Sequence, residues 1–248
     1  MNKLMLLTLI HLATGAVAVA DVITQNYASG FDNGGLVLDG NVNPWSDTRA
    51  VSAAAGQVIT DVSVRLSLSG GYNGDLYGYL SYNGVQVPLL NRVGVGTGDA
   101  FGYGDAGLSV TFNDGAADNI HFYQAVVGYS IAGGAAWQPD GRALNPVTAS
   151  ASAYDAAGTG NRLSAFSGMD PNGSWSLVLA DVSGGGGQSV VTGWGLSIGT
   201  ATSTAVPEPS TVAMGLVTLL GLAVRRFAPW RRNVDPLPAS GSSGPVAK

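Results

Sequence analysis

Apolar and polar residues alternate with a period of two along several stretches of the chain. Val62, Val64, Leu66 and Leu68 interleave with Ser63, Arg65, Ser67 and Ser69. Leu108, Val110 and Phe112 repeat the pattern, as do Trp175, Leu177 and Leu179. A last run sets Val190, Thr192, Trp194, Leu196 and Ile198 on one side. Successive side chains of a strand point to opposite faces, so each run predicts a half-buried strand. Turn signals separate them: Gly70-Gly71, Asn73-Gly74, Asn83-Gly84, Asp114-Gly115, Asp140-Gly141, Asn172-Gly173 and the run from Gly184 to Gly187. No extended 3.6-residue periodicity precedes Ser210. Many short strands in one unit predict an all-β fold, an antiparallel β-sandwich or jelly roll.

Composition narrows the class. Of 248 residues, both ends read as sorting segments, leaving about 180 for one well-buried domain. Cysteine is absent, so stability must come from the apolar core or a bound metal rather than disulfides. Between Asp21 and Val206 stand fourteen aspartates and no glutamate against five arginines and no lysine, a net charge of −9. Such a body excludes the basic footprint that nucleic-acid binding requires. It is compatible with cation binding or with an ordinary solvated acidic surface.

The ends read as addresses. Lys3, an apolar stretch to Val17 and the small-x-small site Ala18-Val19-Ala20 form a secretory signal peptide over residues 1–20, cleaved after Ala20, with an uncleaved anchor as the alternative. Near the other end, Ser210 to Val224 carries no charge. This predicted helix, 210–224, spans roughly 22 Å at about 1.5 Å per residue, short of the ~30 Å hydrocarbon core. Arg225, Arg226, Arg231 and Arg232 favour the cytoplasmic side and leave the acidic body outside. By length alone the segment is a marginal anchor or a buried core helix.

Two resemblances follow from these residues. Val206-Pro207-Glu208-Pro209, the apolar helix and the arginine cluster, over 207–232, resemble the PEP-CTERM sorting signal of Gram-negative bacteria. That resemblance implies recognition by an exosortase, a membrane-embedded transpeptidase, and transient anchoring in the inner membrane. Family signals end soon after the basic cluster; here a Pro/Ser/Gly-rich tail of disordered composition continues over 233–248. Upstream, after a 200–206 linker, the body over 22–199 resembles the P (homo B) domain of subtilisin-like proprotein convertases, a jelly roll. Gly74-Asp75-Leu76, Asn172-Gly173-Ser174-Trp175, Leu177, Asp181 and Gly193-Trp194 carry it, and it is weakest between Ala143 and Ser164. In convertases this domain stabilises a Ser-His-Asp protease domain, which has no counterpart here.

Candidate chemistry is sparse. Past the signal peptide His121 is the only histidine, with Asp118 nearby in "DNIHFYQ", and no Gly-x-Ser-x-Gly turn accompanies it. One histidine without cysteine serves zinc poorly, and no aspartate pair is singled out for glycoside hydrolysis. Calcium is the best ligand expectation, at Asp75, Asp99, Asp105, Asp170 and Asp181 in or beside Gly-rich turns. The alternative is that these aspartates cap turn amides. Tyr72, Tyr77, Tyr79 and Tyr82 cluster on one hairpin and either stack on sugars or pair across strands. The expected protein is an exported, non-catalytic β-sandwich of the cell surface or the exopolysaccharide matrix, sorted by an exosortase. The alternative is a P-domain accessory of a subtilisin-like serine endopeptidase.

Overall fold

The computed structural model describes residues 20–202. The signal-peptide residues up to Val19, the Pro-Glu-Pro motif, the 210–224 helix and the tail lie outside the described residues. Ten strands occur among those described: β1 (Ala20–Tyr27), β2 (Leu36–Val37), β3 (Asn41–Val51), β4 (Gln57–Gly70), β5 (Leu76–Tyr82), β6 (Val85–Asn91), β7 (Leu108–Phe112), β8 (Ala135–Trp137), β9 (Gly173–Asp181) and β10 (Ser189–Thr202). One six-residue helix, α1 (Ala151–Ala156), lies in the long β8–β9 connection, within the stretch where the P-domain resemblance is weakest. No helix of the described residues is long and apolar enough to cross a membrane.

The strands form two sheets, β1-β10-β4-β7-β8 with β2 added beside β10, and β3-β9-β5-β6. All pairings of these strands are antiparallel except β7 with β8, which run parallel. The all-β, two-sheet expectation therefore holds, with one parallel pair that the alternation pattern did not indicate. Between the sheets lie Val62, Val64, Leu66, Val110, Phe112, Leu196 and Ile198 from one side and Leu76, Leu80, Val87, Leu177 and Leu179 from the other. Burial of such side chains contributes about 1.5–3 kcal/mol each and is the main force joining the sheets.

The last strand departs from simple alternation. Its pairing with β4 slips between Val191 and Gly193, a bulge that re-phases the strand. Val191 is buried, whereas Val190 is half-buried and Thr192 is exposed, donating Oγ1–H to the Ser67 carbonyl. Only Trp194, Leu196 and Ile198 of the expected stripe face the core. β10 continues to Thr202, and β1 pairs with it from Ala20 onward.

Every tryptophan of the described residues has a hydrogen-bond partner for its indole N–H. Trp45 donates to the Asp32 carbonyl, Trp137 to Ser130, Trp175 to Pro171, and Trp194 to the Asp47 carboxylate at 2.6 Å. Trp175 stacks on Tyr82 at 4.0 Å between centroids and 4° between planes. Tyr82 donates its hydroxyl to the carbonyls of Asp170 and Asn172. It is a core residue, not part of an exposed aromatic cluster. Its position follows from strand parity: Tyr82 shares the inward face with Leu76 and Leu80, and Tyr77 and Tyr79 take the outward one.

Candidate functional site

Two of the five candidate aspartates meet at one end of the sandwich. Asp75 closes the short 3-10 turn Asn73–Asp75 that leads into β5, and Asp181 ends β9 opposite Leu76. Gly74 is there for space: a Cβ on it would lie 2.6 Å from the Tyr103 amide nitrogen. That close approach, with Gly74 N–H donating to the Tyr103 carbonyl, packs the 101–104 loop against the turn. Tyr72, Asp75, Phe101, Tyr103 and Ser183 then line a pocket of about 220 Å³.

The electrostatics are those of like charges out of water. Asp181 is fully buried. Its Oδ1 accepts long bonds from the Gly40 and Ser183 amides, both 3.4 Å, and its Oδ2 has no partner. Burial pushes its carboxyl up to about 6; the two amides oppose the rise, and the carboxylates of Asp75 and Asp39 add to it. Asp75 is raised as well, chiefly by burial, against a hydrogen bond from Ser183 and the Arg92 guanidinium 3.9 Å away. Asp39, whose Oδ1 accepts from Gly185 N–H at 2.9 Å, belongs to this group, and sequence reading missed it. Its available signal was the Asp39-Gly40 turn dipeptide.

The other three aspartates stand apart. Asp99 accepts from the amides of Phe101 and Gly102, and Asp170 from the amide and side chain of Asn172. These are turn clamps, and the Asn172 bonds hold the Asp170 carboxyl below its usual range. Asp105 accepts from the Tyr123 hydroxyl and the Gln124 amide. Among the described residues no three His, Asp or Glu side chains converge as a metal centre. Calcium takes six to eight oxygens, and the carboxylates of Asp75, Asp181 and Asp39 with the Ser183 hydroxyl fall short of that number, Asp39 Oδ1 and Asp181 Oδ1 being already held by backbone amides. The donor set does not fit calcium. The pair is instead linked to protons.

His121 lies in a separate buried network. Its Nδ1 faces Asp140 Oδ2 at 2.7 Å and its Nε2 faces the Val95 carbonyl at 3.0 Å, with the ring fully buried. Asp140 Oδ1 also accepts from Arg142 Nη1 at 3.1 Å, and the Arg142 guanidinium lies 4.9 Å over the Phe122 ring. The carboxylate beside His121 is therefore Asp140, nineteen residues on, and not Asp118. Neither ring nitrogen faces a hydroxyl, so this histidine has no nucleophile to activate. It ties the 119–142 connection to β6, through Asn91, whose amide N–H reaches Asp140 Oδ2 at 3.3 Å.

Of the four tyrosines, Tyr72 walls the acidic pocket and Tyr82 is in the core. Tyr77 and Tyr79 stand on the outer face of the β3-β9-β5-β6 sheet, ring centroids 5.6 Å apart.

No protein-family profile matches the chain, and no curated protein matches it. Among solved structures it is similar to the serine protease of Aeromonas sobria and to that protease in complex with the chaperone ORF2. Identity is 15% in both, over 74% of this chain and 27% of theirs, with TM-scores of 0.39 and 0.38. The chain thus spans about a quarter of the length of the chains it matches.

Proposed function

We propose that residues 20–202 act as a non-catalytic accessory module for a subtilisin-like serine endopeptidase outside the cytoplasm. One observation carries this reading. The residues on which the P-domain resemblance rests come from distant stretches yet serve one frame: Leu76 pairs with Asp181, Gly74 seats the 101–104 loop, and Trp175 and Trp194 anchor the two sheets. They are framework residues, which suits a module that supports a partner through its surface. The sealed His121–Asp140 pair supports the non-catalytic part.

The location is proposed from sequence. The chain is exported by residues 1–20, held transiently in the inner membrane by 210–224, and recognised by an exosortase at Val206-Pro207-Glu208-Pro209. It is then delivered to the outer surface or released. Mass spectrometry of the mature C-terminus tests this: a chain that keeps Arg231 and Arg232 outside the membrane would overturn it. A second reading, a component of the exopolysaccharide matrix, is favoured by the neutral aromatic groove on the outer sheet.

The accessory role is tested with the purified full-length chain and the culture's secreted proteins labelled with a fluorophosphonate, which marks active serine hydrolases. Co-purification of a labelled endopeptidase, with a higher melting temperature for it, is the expected result. Casein turnover by the chain itself, or no labelled protein bound, would overturn it.

A further inference from the structure

The groove on the outer face of the β3-β9-β5-β6 sheet shares no residue with the acidic pocket. It measures about 270 Å³, and its floor is Tyr77, Tyr79, Val178 and Ala180, with Asn145 and Val147 from the 143–150 loop at one side. Tyr77 and Tyr79 are two apart on one strand, so both rings project from the same face, their planes inclined at 50°. Both are half-buried. Neither hydroxyl has a hydrogen-bond partner among the described residues. Burial, with Tyr79 beside it, raises the Tyr77 phenol, so it remains a donor at neutral pH.

The loop supplies an oriented amide. Asn145 Oδ1 accepts from the amides of Val147 at 2.9 Å and Thr148 at 3.2 Å, and its carbonyl accepts from Ala149 at 3.0 Å. This fixes the side chain and leaves Nδ2–H without a partner among the described residues. Beyond the tyrosines the face continues through Thr48, Ser176 and Ser81, register partners across β3, β9 and β5, with Ser46 opposite Val178 in the row beside them. In a body with a charge of −9, no charged side chain among the described residues lines this groove.

We propose that this groove binds a neutral polysaccharide chain. Successive sugar rings lay their C–H faces on Tyr77 and Tyr79, and sugar hydroxyls take hydrogen bonds from the two phenols and Asn145 Nδ2. A sugar ring offers what this lining accepts, an apolar face edged by hydroxyls. Charge argues for the neutral class, because the acidic body repels anionic polymers. The size of the groove argues against a second copy of the chain, since stable homodimer interfaces bury far more surface than a groove of about 270 Å³ offers. The proposal stands independently of the accessory reading.

The test uses the purified full-length chain and three probes: cellohexaose, xylohexaose and hexagalacturonate, measured by calorimetry at low and high salt. Saturable binding of at least one neutral hexasaccharide is expected, unchanged by salt, with hexagalacturonate inert. Tyr77→Ala weakens it by roughly tenfold or more, the loss of one aromatic contact. Asn145→Asp keeps the acceptor that caps the loop and removes the donor, so it weakens binding with the melting temperature unchanged. That variant decides the matter if Tyr77→Ala does not fold. Failure of both neutral probes to bind, preference for hexagalacturonate, displacement by a proline-rich peptide, or undiminished binding in Asn145→Asp overturns the proposal.

Discussion

Replacing Asp181 by asparagine is expected to stabilise the protein at neutral pH, although the residue is fully buried and hydrogen-bonded. The unfolded carboxyl titrates near 4, and the folded one near 6. Between those values the folded state keeps a proton that the unfolded state has lost, so stability falls as pH rises through the window. Above it, a charge is held in a site that does not welcome it. A rise from 3.8 to about 6 corresponds to about 3 kcal/mol at 1.36 kcal/mol per unit, and solvent screening reduces the realised figure to roughly 1–2 kcal/mol. Asparagine has the same shape, and its Oδ1 can still accept from Gly40 and Ser183. The partnerless Oδ2 becomes an amide nitrogen in the field of Asp75 and Asp39. Urea unfolding at about pH 7.5 should then show Asp181→Asn more stable by roughly 1–2 kcal/mol, and at about pH 3, below both values, the gain should nearly vanish. An equal loss at both pH values would refute the reasoning, because it would mean that the two amide bonds matter and the buried charge does not.

Other expectations test the frame around the site. Trp194→Phe removes the indole donor to Asp47 and should cost about 1.5–3 kcal/mol in urea unfolding, the range for a bond to a charged group; a cost near zero would show that Arg49, whose Nε donates to Asp47 Oδ2 at 2.7 Å, satisfies Asp47 alone. Gly74→Ala forces a Cβ against Tyr103 and Gly102 and should cost about 2 kcal/mol or more, whereas a neutral result would mean that the 101–104 loop moves freely. His121→Gln leaves Asp140 one partner short while Arg142 stays and should cost about 1.5–3 kcal/mol, read as a fall in the urea midpoint. Calcium or a chelator should move the melting temperature by less than about 1 °C; a clear rise with calcium would reinstate a metal at Asp75 and Asp181.

Pattern and proximity divide what could be read in advance. Val62 to Leu68 and Leu108 to Phe112 alternate without interruption, Trp175 to Leu179 does so but for Val178, and all became strands with the alternating apolar residues inside. The Val190 to Ile198 stripe went wrong at its start, because a bulge at Val191 re-phases the strand and a bulge leaves no mark in alternation. The four tyrosines looked like one cluster in sequence, and strand parity together with sheet stacking sent them to three places. Asp140 lies far from His121 along the chain, and Asp39 farther still from Asp181, so neither partner was visible from neighbouring residues.

By itself, then, the sequence determined the class of fold and the place of several of its strands, because alternation and turn chemistry are local and act over a few residues. It also determined the acidity of the body, which is a matter of composition. Only the tertiary structure decided which of the aspartates share an environment, and that His121 is sealed. It alone gathered two tyrosines and an asparagine into an uncharged groove. Those outcomes depend on which side chains from distant strands come within a few ångströms, and on how much water is excluded when they do.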